Sequence, residues 1–393
     1  MQLTPADRAV VDSLPERGPE MIARAVDWCA VNSGSRNLAG LEQQRERLEA
    51  ALARFPGVLE RLPLAPSIEL GTDGREREQP HPDALRLTVR PEAPVQVLLT
   101  GHYDTVYGAD SPFREVVTRG DGALHGPGIA DMKGGISVML GALEAFETHP
   151  ERDRVGWRVL LSPDEEIGSL ASAPRLSEAA RDAHVGMTYE PALGDGALAS
   201  SRKGSGNFSV LVRGRAAHAG RDFASGRNAV AAAARIAAAL DGLNGRREGV
   251  TVNVARIDGG GPSNMVPDIA VVRFNVRLPR PEDAGWIEAE VRRLLDPGEG
   301  LTAALHGGFT RPPKPVTPAQ QALFDGARGA AALVGVDLAW KPSGGVCEGN
   351  NLFAAGLPNL DTLGVQGGDI HSEAEHAWPD SFVERAQLSL LML

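Results

Sequence analysis

The chain is predicted to adopt an α/β fold: a mixed sheet flanked by helices and interrupted by a ferredoxin-like module. Three observations predict it. Short runs at 95–99 and 157–161, apolar but for Gln96 and Arg158, are separated by helical patterns in the first two hundred residues, as expected for strands buried on both faces. Acidic and histidine residues fall at the ends of those runs, where open α/β sheets place their ligands. After Ser201 the order becomes β-α-β-β-α-β, the split βαβ arrangement, in a segment long enough to fold as a domain.

The elements follow in order. Helices are expected near 19–30 and 38–55, the second because Leu41, Leu48, Leu52 and Phe55 recur at helical spacing. An alternating strand at 85–89 and a buried strand at 95–99 come next, the latter ending at Gly101-His102. A polar loop and the glycine-rich GPGIADMKGG lead into an apolar helix at 136–146, whose start Gly134-Gly135 marks. The strand at 157–161 runs into SPDEE, and the one at 185–189 ends at Glu190-Pro191. In the module, strands are expected at 207–212, 250–257, 269–278 and 301–306, with helices at 228–240 and 282–295. TRPPKPVTP then forms a semi-rigid link through its fixed proline φ angles. The α/β pattern resumes with a helix at 320–333, a strand at 359–363 and a C-terminal helix from Ser381. The expected domains are 1–203 with 316–393, interrupted by 204–315, and there is no fixed-period repeat.

Composition narrows the function classes. At 393 residues the chain exceeds one typical domain, and 42% hydrophobic with 23% charged residues is ordinary for a globular protein. Forty basic residues against 51 acidic ones give a net charge of −11, which disfavours a nucleic-acid surface. The two cysteines, Cys29 and Cys347, exclude a disulfide framework or a cysteine-rich zinc site and fit a reducing compartment. Cys347 reads as a packing residue. The N-terminal residues lack the apolar run of a secretory signal, and no window approaches the roughly 20 apolar residues of a membrane span. A cytoplasmic protein without a membrane partner is expected.

The densest chemistry lies in GHYDTV around His102 and Asp104, in Asp131, in the pair Glu165-Glu166, in Glu190, and in His371 within IHSEAEH. Two imidazoles and several carboxylates at strand ends make a ligand set for divalent first-row metals, zinc above all. One ion would not need so many. A carboxylate bridging two ions is the usual construction of a two-metal hydrolytic centre, with Asp131 the natural bridge. Asp104, two positions after His102, falls on the same side of an extended backbone and can orient that imidazole. Adjacent Glu165 and Glu166 would point to opposite sides of an extended segment and take different tasks, and their spacing leaves open which does which. Singly, a histidine or aspartate at a strand end is more often structural, a capping or hydrogen-bonded group; the combination reverses that reading.

GHYDTV, GPGIADMKGG, PDEEIGS, YEP and IHSE, in this order, resemble the dinuclear zinc M20 metallopeptidases, most nearly the glutamate carboxypeptidase or carboxypeptidase G branch. The resemblance covers nearly the whole chain. It implies two zinc ions per subunit, with cobalt or manganese as substitutes. His102 and Glu190 would bind one ion and Glu166 and His371 the other, with Asp131 bridging, Glu165 as general base and Asp104 orienting His102. It further implies a cis peptide between Asp131 and Met132, and makes the module a lid and dimerisation domain in a homodimer. His218 in RGRAAHAG would polarise the scissile carbonyl, often across the dimer. Asn264 and Arg277 would bind substrate, the arginine fork suiting a terminal carboxylate, and PSGG resembles a further substrate loop. VCEGNN at 346–351 departs from the family pattern, which puts substrate preference in question there. The blander reading of His218 is a residue of a basic turn, and of Arg277 a solvated strand face. His125 and His376 read as structural.

The expected function is therefore metal-dependent hydrolysis of an amide in a peptide or N-acyl amino acid bearing a free carboxylate. Rival readings are an N-acyl amino acid deacylase or desuccinylase of the same superfamily, a metallo-aminopeptidase, which would not need the module, and, last, a non-enzymatic amino-acid binder.

Overall fold

The computed structural model describes residues 2–393. The chain divides into two compact units. The first holds the residues up to Ala65 together with His81–Ser201 and Val316–Leu393. The second holds Pro66–Pro80 and Arg202–Pro315.

In the first unit, helices α1 (Pro5–Cys29) and α2 (Leu38–Leu52) precede strand β1 (Val58–Leu62). Helix α1 starts far earlier than the expected residue 19 and carries Pro15 and Pro19 inside it. A capping box at Thr4 and Asp7 begins it, and Val10, Val11, Leu14 and Met21 bury its inner face, so packing outweighs the missing proline donors. After the hairpin β2 (Ser67–Leu70) and β3 (Glu76–Gln79) of the second unit come β4 (Ala84–Val89) and β5 (Val95–His102), then helix α3 (Gly135–Phe146).

The six-stranded sheet runs in the order β1, β4, Val155–Ser162, β5, Val185–Thr188, Asn359–Leu360. β1, β4 and Val155–Ser162 pair antiparallel, whereas β5 pairs parallel with both of its neighbours. The sheet is therefore mixed. Its central strands bury both faces. Val97, Leu99, Val159 and Leu161 join the core under α1, α2, α3 and Pro379–Met392, while Leu98 and Leu160 pack with Leu176, Ala179 and Leu352 on the other side. That double burial is why these strands read as largely apolar runs, broken only by the partly exposed Gln96 and Arg158 near their starts. Helix α3 is apolar nearly all round because every residue except Glu144 is buried. Its start approaches the sheet so closely that a Cβ on Gly135 would lie 2.1 Å from the Tyr189 carbonyl oxygen. Only glycine fits there.

The second unit contains a four-stranded antiparallel sheet in the order Thr251–Gly259, Ile269–Leu278, Gly204–Arg213, Thr302–Arg311. Helices Ala229–Asp241 and Asp283–Arg293 contribute Ala233, Ile236, Ile287 and Val291 to the core on one face, against Phe208, Val272 and Phe274. The β-α-β-β-α-β order matches the sequence pattern. The hairpin of β2 and β3 does not: the expected boundary at 203/204 left residues 66–80 outside this unit, whereas Leu70 packs with Leu211 and Val271. Among the described residues no helix is long and apolar enough to cross a membrane.

Candidate metal centre

Sheet register assembles half of the site. β5 pairs Thr100 with Thr188 and His102 with Ser162. His102 therefore ends its strand level with the residue that precedes the Glu165-Glu166 turn, and Glu190, two residues beyond Thr188, reaches the same edge. The Thr100 and Thr188 hydroxyls, 3.0 Å apart, tie the two strands together just beneath. Asp131 arrives on the irregular segment ahead of α3, where the Asp131–Met132 peptide is cis, as the resemblance implied. His371 comes from the loop before the last helix, with its backbone at φ 63°, a left-handed conformation that few side chains adopt.

The contacts converge on Asp131. Its Oδ1 lies 3.2 Å from His102 Nε2, and its Oδ2 lies 3.2 Å from His371 Nε2. His371 Nε2 is also 3.2 Å from Glu166 Oε2, and His102 Nε2 is 3.8 Å from Glu190 Oε1. Ligand atoms of His102, Glu165 and Glu190 all lie within 4.8 Å of one another, as do those of His102, Asp131 and Glu166. The structure thus brings together all five residues expected to bind metal, and Glu165 with them.

Asp104 is fully buried. Its Oδ1 stands 3.3 Å from His102 Nδ1 and accepts the Glu165 N–H at 3.1 Å. Its Oδ2 accepts the Glu166 N–H at 3.1 Å and the Ser35 hydroxyl at 2.7 Å. Glu165 and Glu166 were expected on an extended segment; they lie instead on the single helical turn Glu165–Ile167. That turn lets one carboxylate receive both consecutive N–H groups, so Asp104 orients the imidazole and anchors the two glutamates together.

The charge balance tests whether cations fit. Burial, reinforced by Asp131, pushes the Glu166 carboxyl up to about 8. Hydrogen bonds that His371 donates to Asp131 and Glu166 raise it to about 11. His102 is raised well above the ordinary imidazole value despite its burial, because Asp104 and Asp131 hold its charged form. Asp131, which burial alone would raise, is held below the usual carboxylate range by His102 and His371. Protons on Glu166 and both imidazoles thus offset charge that divalent cations would offset directly. The nitrogen and oxygen donors suit such ions, so the residues fit a metal centre.

Sequence reasoning missed three participants. Ser35, in the loop after α1, carries no motif that marks it. Tyr107 and Glu375 stand inside or beside quoted motifs but had no assigned role; Glu375 accepts hydrogen bonds from the backbone on both sides of Ile129 and from Tyr107.

The remaining expected residues belong to the second unit. His218 pairs with Met265 in a short ribbon, and the Ala219 N–H donates to the Asn264 carbonyl at 2.8 Å. The ribbon therefore sets His218 and Asn264 side by side, both exposed. Arg277 is half-buried on strand Ile269–Leu278 of the four-stranded sheet, and its Nε donates to Asn275 Oδ1 at 3.0 Å. Cys347 is fully buried, as its packing role requires.

Fold and centre together define a metallohydrolase of the α/β kind. The chain belongs to the peptidase family M20/M25/M40, whose sequence pattern matches residues 98–393. Carboxypeptidase G2 of a Pseudomonas species is 30% identical over 296 residues, which span 70% of this chain and 68% of that protein. A succinyl-diaminopimelate desuccinylase of Acinetobacter baylyi is 28% identical over 298 residues, 71% of this chain and 76% of that one. Among solved structures, a dinuclear metal binding M20 peptidase of Bacillus subtilis shares the fold with a TM-score of 0.61 at 16% identity, covering 95% of this chain and 98% of the other.

Proposed function

We propose that the chain is a two-metal exopeptidase of the carboxypeptidase kind, hydrolysing the amide that joins an acyl or peptidyl group to an amino acid with a free carboxylate. One observation carries the reading: the two oxygens of Asp131 face two different imidazoles, each at 3.2 Å, the disposition of a carboxylate shared by two ions. The likeness to carboxypeptidase G2 supports the substrate class, and the dinuclear Bacillus subtilis relative supports the ion count at the level of fold.

His102 and Glu190 would hold one zinc ion, Glu166 and His371 the other, and Asp131 both; cobalt or manganese would serve as substitutes. When bound, such ions polarise a carbonyl and acidify water. Glu165 takes the proton from the attacking water and delivers it to the departing amine. Asp104 keeps the His102 ring oriented and fixes the turn that carries Glu165. In the second unit, His218 donates to the oxygen that becomes negative in the transition state, and Asn264 and Arg277 bind the substrate, Arg277 through its carboxylate. Homodimerisation through that unit, residues 204–315 of the sequence reading together with the hairpin, belongs to the same proposal; a monomer by light scattering would remove it.

A second reading, removal of a succinyl group from an N-acyl amino acid, is favoured by the desuccinylase relative. Hydrolysis of N-acyl glutamates and of succinyl-diaminopimelate by zinc-loaded protein separates the two. Glu165→Gln tests the mechanism. It should retain zinc by elemental analysis and lose at least about 100-fold in kcat, the scale of general acid–base catalysis; undiminished turnover would reject Glu165 as the base.

A further inference from the structure

Glu375 has no part in the chemistry above, yet its carboxylate accepts four hydrogen bonds beside the centre. It is fully buried. Oε1 accepts the N–H groups of Ala130 at 2.9 Å and Asp131 at 3.0 Å. Oε2 accepts the Gly128 N–H at 3.0 Å and lies 2.6 Å from the Tyr107 hydroxyl. That hydroxyl is also 2.8 Å from the carbonyl of Ser372, the neighbour of His371. One anion therefore gathers three donors of the irregular segment that presents Asp131, and through Tyr107 it is tied to the turn that presents His371. No regular helix or strand pairing satisfies those three N–H groups, so the conformation of residues 128–131 depends on this acceptor.

We propose that Glu375 is a positioning residue that fixes Asp131 between the two imidazoles and thereby sets the affinity for the ion held with His371; this rests on the two-ion reading above. The two ions should respond unequally. His102 is fully buried at the end of a central strand, whereas the His371 side chain is 53% exposed on a left-handed turn. Packing holds the first imidazole in place; the second depends on Asp131 and its surroundings. Loosening the Asp131 segment therefore weakens the His371 side first.

The test is Glu375→Gln in the full chain, with zinc affinity measured by competition against a chromophoric chelator. The amide keeps the shape but has one acceptor oxygen, so it cannot serve both the Ala130/Asp131 pair and the Gly128/Tyr107 pair. The weaker zinc site should lose about 10- to 100-fold, as groups that orient metal ligands typically do, while the tighter site stays within about threefold. Cobalt-substituted protein should correspondingly show the visible absorption of one ion where wild type shows two. Tyr107→Phe removes only the hydroxyl and should lower the same affinity by a smaller factor; it decides the matter if Glu375→Gln does not fold. Wild-type affinity at both sites in a folded variant, or equal loss at both, overturns the proposal, since a merely structural role would lower the unfolding midpoint without separating the sites. A wild-type chain that binds fewer than two ions overturns the two-ion reading instead, so the two failures are distinguishable.

Discussion

Replacing Asp104 by asparagine preserves volume and removes one acceptor oxygen at the point where the centre and its turn are joined. In the more favourable orientation the amide oxygen keeps the Glu166 N–H and the Ser35 hydroxyl, its two partners at 3.1 and 2.7 Å. The amide nitrogen then faces the Glu165 N–H and His102 Nδ1, formerly 3.1 and 3.3 Å from a carboxylate oxygen. The buried Glu165 N–H is left without an acceptor and meets the amide's own N–H groups, which costs at least about 1–3 kcal/mol of stability. The imidazole fares better. His102 Nδ1 also lies 3.1 Å from the Asp104 backbone carbonyl, which the substitution leaves in place, so the Nδ1–H tautomer survives and Nε2 remains a metal ligand. Zinc affinity should therefore fall only about tenfold, the low end of the range for groups that orient metal ligands. Turnover should fall further than affinity, because the released Glu165 N–H lets the turn bearing the general base shift. Urea unfolding, chelator competition and kcat on a common substrate measure the three effects separately. A variant with unchanged unfolding midpoint and unchanged kcat would refute the joint role of Asp104; a loss of zinc affinity beyond about 100-fold would refute the compensating carbonyl.

Three further outcomes are expected. Arg277→Ala should raise KM for free-acid substrates by about 10- to 100-fold, the loss of a charge-assisted hydrogen bond of roughly 1.5–3 kcal/mol, with little effect on the corresponding amides; equal changes for acid and amide would dismiss the carboxylate clamp. Zinc uptake by metal-free protein at pH 7 should release protons, because Glu166, raised to about 8, and His371, raised to about 11, are protonated at that pH and must lose their protons to bind. Affinity should accordingly rise with pH through about 8, and calorimetry in two buffers of different ionisation enthalpy would show no buffer dependence if the idea is wrong. Gly135→Ala should destabilise the first unit by at least about 1–3 kcal/mol, since its Cβ would meet the Tyr189 carbonyl at 2.1 Å; an unmoved urea midpoint would show that the helix start yields.

Legibility followed burial. The central strands were readable because both their faces are covered, which demands largely apolar runs, and the strand Ile269–Leu278 lies where it was expected. Helix α1 was only half readable: Pro15 and Pro19 look like boundaries along the chain, and only the packing of Val10, Leu14 and Met21 shows that they are not. The hairpin of β2 and β3 escaped because Glu76–Gln79 is polar throughout and its buried Leu70 finds partners more than 130 residues away in sequence. The metal-ligand candidates were recognisable as residue types, His102, Glu166 and Glu190 at or just beyond strand ends and Asp131 and His371 on irregular segments, without any indication of which oxygen would face which nitrogen.

The residue pattern alone determined the α/β class, the β-α-β-β-α-β order of the second unit and the donors from which a cation site is made, because hydrophobic period and ligand chemistry are local properties of a chain. Tertiary structure alone decided which oxygen of Asp131 faces which imidazole, that one turn gives both glutamate N–H groups to Asp104, and that Glu375 accepts hydrogen bonds from the bridging segment nearly 250 residues away. Those relations arise from strand register and loop closure, which join distant groups at hydrogen-bond distance and leave no periodic trace in the sequence.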